Sequence, residues 1–109
     1  MTTRVETLKP GDGENFPKPG DSITMHYTGT LENGTKFDSS RDRGQPFTCK
    51  IGVGELIKGW DTLVPQMSVG EQARLYIDSA DGYGARGVPG VIPRNANLIF
   101  DVELIKINS

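Results

Sequence analysis

Strict alternation of apolar and polar residues is the feature that most constrains how this 109-residue chain can fold. Three segments show it: DSITMHYTG at 21–29, QARLYID at 72–78 and NLIFDVELIKI at 97–107. In the first segment Ile23, Met25 and Tyr27 fall on one face, while serine, threonine and histidine fall on the other. A period of two, rich in β-branched and aromatic residues, is typical of antiparallel strands with one covered face.

Shorter runs predict the rest of the sheet. One strand is expected at 4–9, and another at 35–39 that continues, after an interruption, at 47–51. Asn33-Gly34 stands between apolar runs and predicts a type I′ hairpin turn, which needs positive φ at both positions.

The segment ELIKGWDTLVPQM breaks this pattern and predicts the helix. Its apolar residues at spacings of three and four are Ile57, Trp60, Leu63, Val64 and Met67. Pro65 limits the length, so we expect two or three turns with Glu55 near the positive N-terminal end. A sheet with one apolar face can wrap a short apolar helix, which predicts an α+β fold and a single domain over 1–109.

Composition and charge exclude several classes of protein. The 12 basic and 14 acidic residues give a net charge of −2, too balanced for a nucleic-acid or anionic-membrane binder. Cys49 is the only cysteine, so an internal disulfide is impossible, and we expect a half-buried strand residue. The N-terminal segment lacks the apolar core of a signal peptide, which predicts a cytoplasmic or nuclear location.

Candidate catalytic groups are few. His26 is the only histidine, so any histidine relay or histidine metal site must use it, and a structural hydrogen bond is the simpler interpretation. GVGELIKG lacks the spacing of a phosphate-binding loop. No metal site or cofactor is predicted, although a hydrolase that uses Asp38 or His26 is a further hypothesis.

Six aromatic residues come from separate predicted elements: Tyr27, Phe37, Phe47, Trp60, Tyr83 and Phe100. They could simply fill the core. Rings fill small voids poorly, however, so an aromatic-lined concavity is the other interpretation. The segment GYGARGVPGVIP at 82–93 carries apolar residues on a glycine- and proline-rich loop, which suits the rim of an apolar site. Asp38 and Arg43 have the spacing of a charge pair that holds a loop, or of a solvated ion pair.

Six motifs occur in order along nearly the whole chain: HYTGTLENGTKFDSS, RGQPF, IGVGELIKGWD, PQMSVGEQARL, YGARG and VIPRNANLIFDVELIKI. By these motifs the chain resembles the small single-domain FK506-binding immunophilins. The resemblance implies a five-stranded antiparallel sheet wrapped around one short α-helix. It implies peptidyl-prolyl cis–trans isomerase activity without a cofactor and binding of the macrolides tacrolimus and rapamycin. Drug-dependent binding of calcineurin or of the rapamycin-target kinase is implied as well.

Matched motif by motif, the resemblance implies a set of pocket residues: Tyr27, Phe37, Asp38, Arg43, Phe47, Glu55, Leu56, Ile57, Trp60, Tyr83, Val91, Ile92 and Phe100. Those with an implied catalytic role are Tyr27, Phe37, Asp38, Trp60, Tyr83 and Phe100. Trp60 would form the floor beneath a prolyl ring. The Ile57 N–H and the Tyr83 hydroxyl would donate hydrogen bonds to ligand carbonyls, while the Asp38 carboxylate and the Glu55 carbonyl would accept hydrogen bonds from ligand hydroxyls.

Two hypotheses stay open beside the isomerase. The pocket could be a non-catalytic module that binds proline-containing partner segments. The apolar Val88-Pro89 dipeptide could also enter a neighbouring molecule's pocket and cause weak self-association of an otherwise monomeric protein. The chain departs from the family pattern at Asp81-Gly82, Val88 and Arg94.

Overall fold

A computed structural model describes residues 1–108 of the chain. Its regular elements, in chain order, are β1 Arg4–Lys9, β2 Ser22–Leu31, β3 Lys36–Ser39, β4 Phe47–Lys50, α1 Lys58–Leu63, β5 Gln72–Ile77 and β6 Leu98–Asn108. Short 3-10 turns at Val64–Gln66 and Ser79–Asp81 follow α1 and β5. None of the helices in residues 1–108 is long and apolar enough to cross a bilayer.

The strands form one antiparallel sheet in the order β1-β5-β6-β2-β3. β4 also pairs with β2, along the half of that strand that β3 leaves free: β3 lies opposite Thr28–Thr30 and β4 opposite Ser22–Met25. The two short strands therefore form one interrupted edge strand. This confirms the predicted α+β fold, in which a five-stranded antiparallel sheet wraps a short helix.

The alternating residues bury one face of the sheet, as predicted. Ile23, Met25, Leu75, Ile77 and Leu104 are inaccessible to solvent. α1 packs on this face through Trp60, Leu63 and, just beyond its end, Val64. Gly59 permits the close approach, because a Cβ at this position would lie 2.7 Å from the Ile77 side chain.

α1 begins at Lys58 because Ile57 has extended backbone with ψ 148°, so Glu55 lies just before the N-terminal end of the helix. One local prediction is wrong. The hairpin turn is not type I′. Leu31 N–H donates to the Thr35 carbonyl at 2.9 Å, which leaves a three-residue loop in which only Gly34 has positive φ. A loop of this length needs the left-handed conformation only at its last residue.

Candidate active site

The structure contains a cavity of about 360 Å³, on the apolar side of the sheet beside α1. Ten residues line it: Tyr27, Phe37, Asp38, Phe47, Glu55, Leu56, Ile57, Trp60, Tyr83 and Phe100. All six rings singled out in the sequence are among them. The rings therefore surround an open space as well as contributing to the core, and its volume is typical of a small-molecule site.

Trp60 lies at the base of this cavity and is only 6% exposed. Its ring meets those of Tyr27 and Phe100 edge-on, with centroids 5.0 Å away in both cases, and that of Phe47 at 6.0 Å. Edge-to-face contacts of this kind hold aromatic rings in fixed orientations. Within the described residues its buried Nε1–H has no hydrogen-bond partner.

The wall formed by Phe37 and Phe100 depends on a glycine of β2. The two phenyl rings pack edge-to-face, with centroids 5.6 Å apart. A Cβ built on Gly29 would lie 2.7 Å from an atom of each ring. Both rings can therefore occupy these positions in the wall only because Gly29 has no side chain.

Asp38 is the carboxylate of a three-membered polar group. One oxygen accepts a 2.6 Å hydrogen bond from the Tyr27 hydroxyl, and the other accepts from the Arg43 guanidinium and the Ser39 N–H. Arg43 also donates to the Tyr27 hydroxyl at 3.1 Å. Asp38 and Arg43 therefore form an ion pair that joins the loop to β3, and the pair is also solvated, with side chains 42% and 50% exposed.

These contacts set the ionisation of the group. Burial alone raises the pKa of Asp38, but the hydrogen bonds from Tyr27 and Arg43, together with the Arg43 charge, outweigh it and lower the pKa. Burial and the bond to Asp38 raise the pKa of Tyr27. Asp38 is therefore an anion neutralised by Arg43, and three donors contact its two oxygens.

The loop that carries Arg43 is anchored by Ser40, which is fully buried. Ser40 Oγ accepts a hydrogen bond from Tyr27 N–H at 2.8 Å, and Ser40 N–H donates to the Tyr27 carbonyl at 3.0 Å. His26 Nδ1 lies 2.9 Å from the same Oγ. His26 thus has the structural role expected of it, outside the cavity lining.

The segment before α1 supplies the backbone groups on one side of the cavity. Asp61 holds this segment, because its carboxylate accepts hydrogen bonds from Gly52 N–H at 2.7 Å and Gly54 N–H at 3.0 Å. At Ile57 the carbonyl accepts from α1, but its N–H has no acceptor in residues 1–108. The Ile57 N–H is therefore a donor available to a ligand.

The loop at 82–93 contributes only part of what was expected. Tyr83 lines the cavity and is 40% exposed, and burial of the rest, with the nearby Asp38 charge, raises the pKa of its hydroxyl. Ile92 is 5% exposed and packs in the core, whereas Val91 is 51% exposed. Neither they nor Arg43 line the cavity, so the binding roles of these three residues stay predictions.

Comparison with known proteins agrees with this geometry. Residues 13–105 match the family described as FKBP-type peptidyl-prolyl cis-trans isomerase. A Kluyveromyces lactis protein named FK506-binding protein 1 is 68% identical over 105 residues, which cover 96% of this chain and 92% of the relative. A Schizosaccharomyces pombe protein named peptidyl-prolyl cis-trans isomerase is 62% identical over 108 residues, covering 99% of this chain and 96% of the relative.

The chain belongs to the FKBP-type peptidyl-prolyl cis–trans isomerases. Its reaction is the rotation of X-Pro peptide bonds, which exchange in tens to hundreds of seconds without a catalyst. This isomerase holds no cluster of three or more His, Cys, Asp or Glu side chains suited to a metal ion within residues 1–108.

Sequence reasoning missed three residues that shape this FKBP-type site: Gly29, Ser40 and Asp61. None of them lines the cavity, and each acts on residues that do. All three lie within the quoted motifs, Gly29 and Ser40 in HYTGTLENGTKFDSS and Asp61 in IGVGELIKGWD, but the motifs gave them no role. Their roles are visible only in the structure, because their partners are distant in sequence or are backbone amides.

Proposed function

We propose that the ring-lined cavity catalyses isomerisation by binding the prolyl ring over Trp60 and excluding water from the X-Pro bond. Resonance in the planar bond gives a rotational barrier of about 18–20 kcal/mol. The twisted transition state has lost that resonance, so its carbonyl oxygen carries less charge and depends less on water. An apolar site therefore favours the twisted form, and each ~1.4 kcal/mol gained is about tenfold in rate.

Two donors are suited to hold the peptide on either side of this bond. The Ile57 N–H has no acceptor in the described part of the chain, and the same is true of the Tyr83 hydroxyl. Hydrogen bonds from both to substrate carbonyls would orient the rotating unit between them. The neutralised Asp38 fits a mechanism that needs no general base, unlike the alternative hydrolase.

The single observation that carries this proposal is the ring-lined cavity of about 360 Å³ that includes Trp60. We expect the protein to accelerate exchange of a Leu-Pro tetrapeptide in a proteolysis-coupled assay. Phe37→Ala, which opens the wall of the cavity, should lower kcat/KM without abolishing folding. A wild-type protein that leaves the exchange rate at its uncatalysed value would contradict the proposal.

The same assay separates the isomerase from the alternative of a proline-binding module. Asp38→Val removes the acceptor of both Tyr27 and Arg43, so we expect it to disturb the cavity wall. Under the isomerase proposal this variant and Phe37→Ala lose turnover of the peptide. Retained capture of a proline-containing partner by variants that have lost turnover would favour the module.

We further propose that tacrolimus and rapamycin bind in this cavity. The Kluyveromyces lactis relative is named for binding FK506, which is tacrolimus. Trp60 is the only tryptophan, so its fluorescence reports occupation of the cavity directly. We expect a saturable change on titration with tacrolimus, and this change should disappear in the presence of excess rapamycin.

Three finer features belong to the same proposal. The drug-loaded protein would bind calcineurin or the rapamycin-target kinase, which pull-down with and without each drug tests. The location would be cytoplasmic or nuclear, which fractionation tests.

Weak self-association through Val88-Pro89 would require Pro89 to enter the cavity of a second molecule. Pro89 is exposed, but the N–H and the carbonyl of Val88 both form hydrogen bonds with Ile92. Concentration-dependent NMR chemical shifts at Pro89 and Trp60 would indicate self-association, and unchanged shifts would exclude it.

A further inference from the structure

The arginine side chains divide into two groups. Those with a carboxylate or a tyrosine ring as partner are Arg4, Arg41, Arg43 and Arg74. The other two, Arg86 and Arg94, are exposed and have no ion pair, side-chain hydrogen bond or ring contact within residues 1–108. Both belong to the segment 82–97, which contains no acidic residue.

Backbone hydrogen bonds keep both arginines beside the cavity residue Tyr83. Gly87 N–H, next to Arg86, donates to the Tyr83 carbonyl at 3.0 Å. Asn95 N–H, next to Arg94, donates to the Gly84 carbonyl at 2.9 Å. The backbone at both arginines is therefore held close to the backbone of Tyr83 and Gly84, and both side chains are exposed.

The charges elsewhere around the cavity make this rim asymmetric. Asp38 is neutralised by Arg43. Glu55 lines the cavity on the side of α1 and has no ion-pair partner within residues 1–108. Two carboxylates border the segment 82–97: Asp81, 4.0 Å from the exposed Lys58, and Glu32, which accepts from Asn97 at 3.0 Å. Neither forms an ion pair with Arg86 or Arg94 within residues 1–108, so the two arginines and Lys58 leave the Tyr83 side net positive.

Resting on the isomerase function above, we propose that this rim selects X-Pro segments with acidic residues on the arm that leaves the cavity past Tyr83. Two unpaired guanidinium groups attract a carboxylate most strongly where no protein carboxylate competes. The net charge of −2 favours cationic peptides over anionic ones at long range. A preference for acidic peptides would therefore oppose the effect of the net charge, so it would have to come from charges close to the cavity.

The test uses five peptides with one Leu-Pro core: a neutral peptide, and peptides with Glu-Glu or Lys-Lys on the N-terminal or the C-terminal flank. NMR exchange measures isomerisation without a protease that has its own charge preference. We expect Glu-Glu to exceed Lys-Lys in kcat/KM by about three- to tenfold on one flank at about 0.01 M salt. Because the Debye length falls from about 30 Å to about 3 Å at 1 M, the ratio should then approach one.

Variants assign the preference to the two arginines. Arg86→Gln/Arg94→Gln should abolish it and Arg86→Glu/Arg94→Glu should invert it, while turnover of the neutral peptide stays at the wild-type value and reports correct folding. The control variant Lys9→Glu/Lys106→Glu changes the net charge by the same amount as Arg86→Glu/Arg94→Glu. Its two side chains are exposed at the ends of β1 and β6 away from Tyr83, so the control should keep the preference.

Equal turnover of all four charged peptides, or a preference that survives Arg86→Gln/Arg94→Gln, would overturn the proposal. Failure of wild-type protein to turn over the neutral peptide would instead refute the isomerase function itself.

Discussion

Tyr83 lines the cavity, and its hydroxyl has no partner within residues 1–108, so the contributions of ring and hydroxyl can be separated by removing one oxygen atom. Tyr83→Phe keeps the ring and removes only the oxygen. Since the hydroxyl has no partner in the described residues, we expect little change in the free energy of unfolding. A lost hydrogen bond to substrate of about 0.5–1.5 kcal/mol predicts a two- to tenfold lower kcat/KM.

The matched control is Tyr76→Phe on the outer face of the sheet, where the hydroxyl donates to Glu6 at 3.3 Å. We expect this variant to keep wild-type kcat/KM. Thermal unfolding of both variants, followed by circular dichroism, checks that neither has lost stability. Full activity of Tyr83→Phe would exclude the hydroxyl from substrate binding.

The ionisable residues at the cavity also predict how its rate depends on pH. The pKa of Asp38 is lowered below 3.8, so the carboxylate is charged at every pH above about 5. The pKa values of Tyr27 and Tyr83 are raised above 10.0, so both hydroxyls stay neutral. Within the described residues the lining includes no histidine.

We expect kcat/KM to vary by less than about twofold between pH 6 and 8, measured with a neutral peptide. A titration step in this range would indicate acid–base catalysis.

At the scale of elements, β2 organises the site because its Gly29 leaves room for rings from β3 and β6. Gly29→Ala places a methyl group 2.7 Å from atoms of Phe37 and Phe100, which must move. Overpacking of this kind costs about 1–3 kcal/mol. We expect lower stability and, because the displaced rings form the cavity wall, a larger loss of kcat/KM than stability alone explains.

Thr30→Ala, one residue further along β2, serves as the control for Gly29→Ala. Its hydroxyl makes only a long 3.4 Å bond to the Ile99 carbonyl, so we expect nearly wild-type activity. Urea unfolding gives the stabilities, and a peptide assay far below the transition midpoint gives kcat/KM. Wild-type activity of Gly29→Ala would show that the ring positions do not limit catalysis.

At the scale of the whole molecule, the cavity exists only when strands distant in sequence have paired. Tyr27 lies opposite Val102, and Gly29 opposite Phe100, in the β2–β6 ladder. Cys49 on β4 offers a probe of that global structure, because burial, with the charges of Asp61 and Glu55, raises its pKa to about 11. The folded thiol is therefore almost entirely protonated at pH 8.

We expect iodoacetamide to alkylate Cys49 about 100-fold more slowly in the folded protein than in urea-unfolded protein at the same pH, since the thiolate reacts. The urea dependence of labelling should coincide with that of Trp60 fluorescence, as in a two-state transition. Cys49→Ser gives the unlabelled background. Rapid labelling under native conditions would mean that β4 opens independently of the core.

The sequence by itself predicted the strands, the helix and all ten residues that line the cavity, but it also assigned to the pocket Arg43, Val91 and Ile92, which do not line it. Period-two burial specified the faces of β2, β5 and β6, and helical spacing specified which residues of α1 face the sheet. Both are local consequences of backbone geometry. The motifs then identified every ring that lines the cavity.

Only the tertiary structure decided how those residues are held. The start of α1 at Lys58 and the turn at Gly34 depend on contacts that periodicity does not encode. The packing of Ile92 in the core, the anchoring of the Arg43 loop by Ser40 and the clearance at Gly29 arise between residues far apart in the chain. Such contacts depend on distances in the folded molecule, whereas a periodic pattern in the sequence specifies only the faces of a single helix or strand.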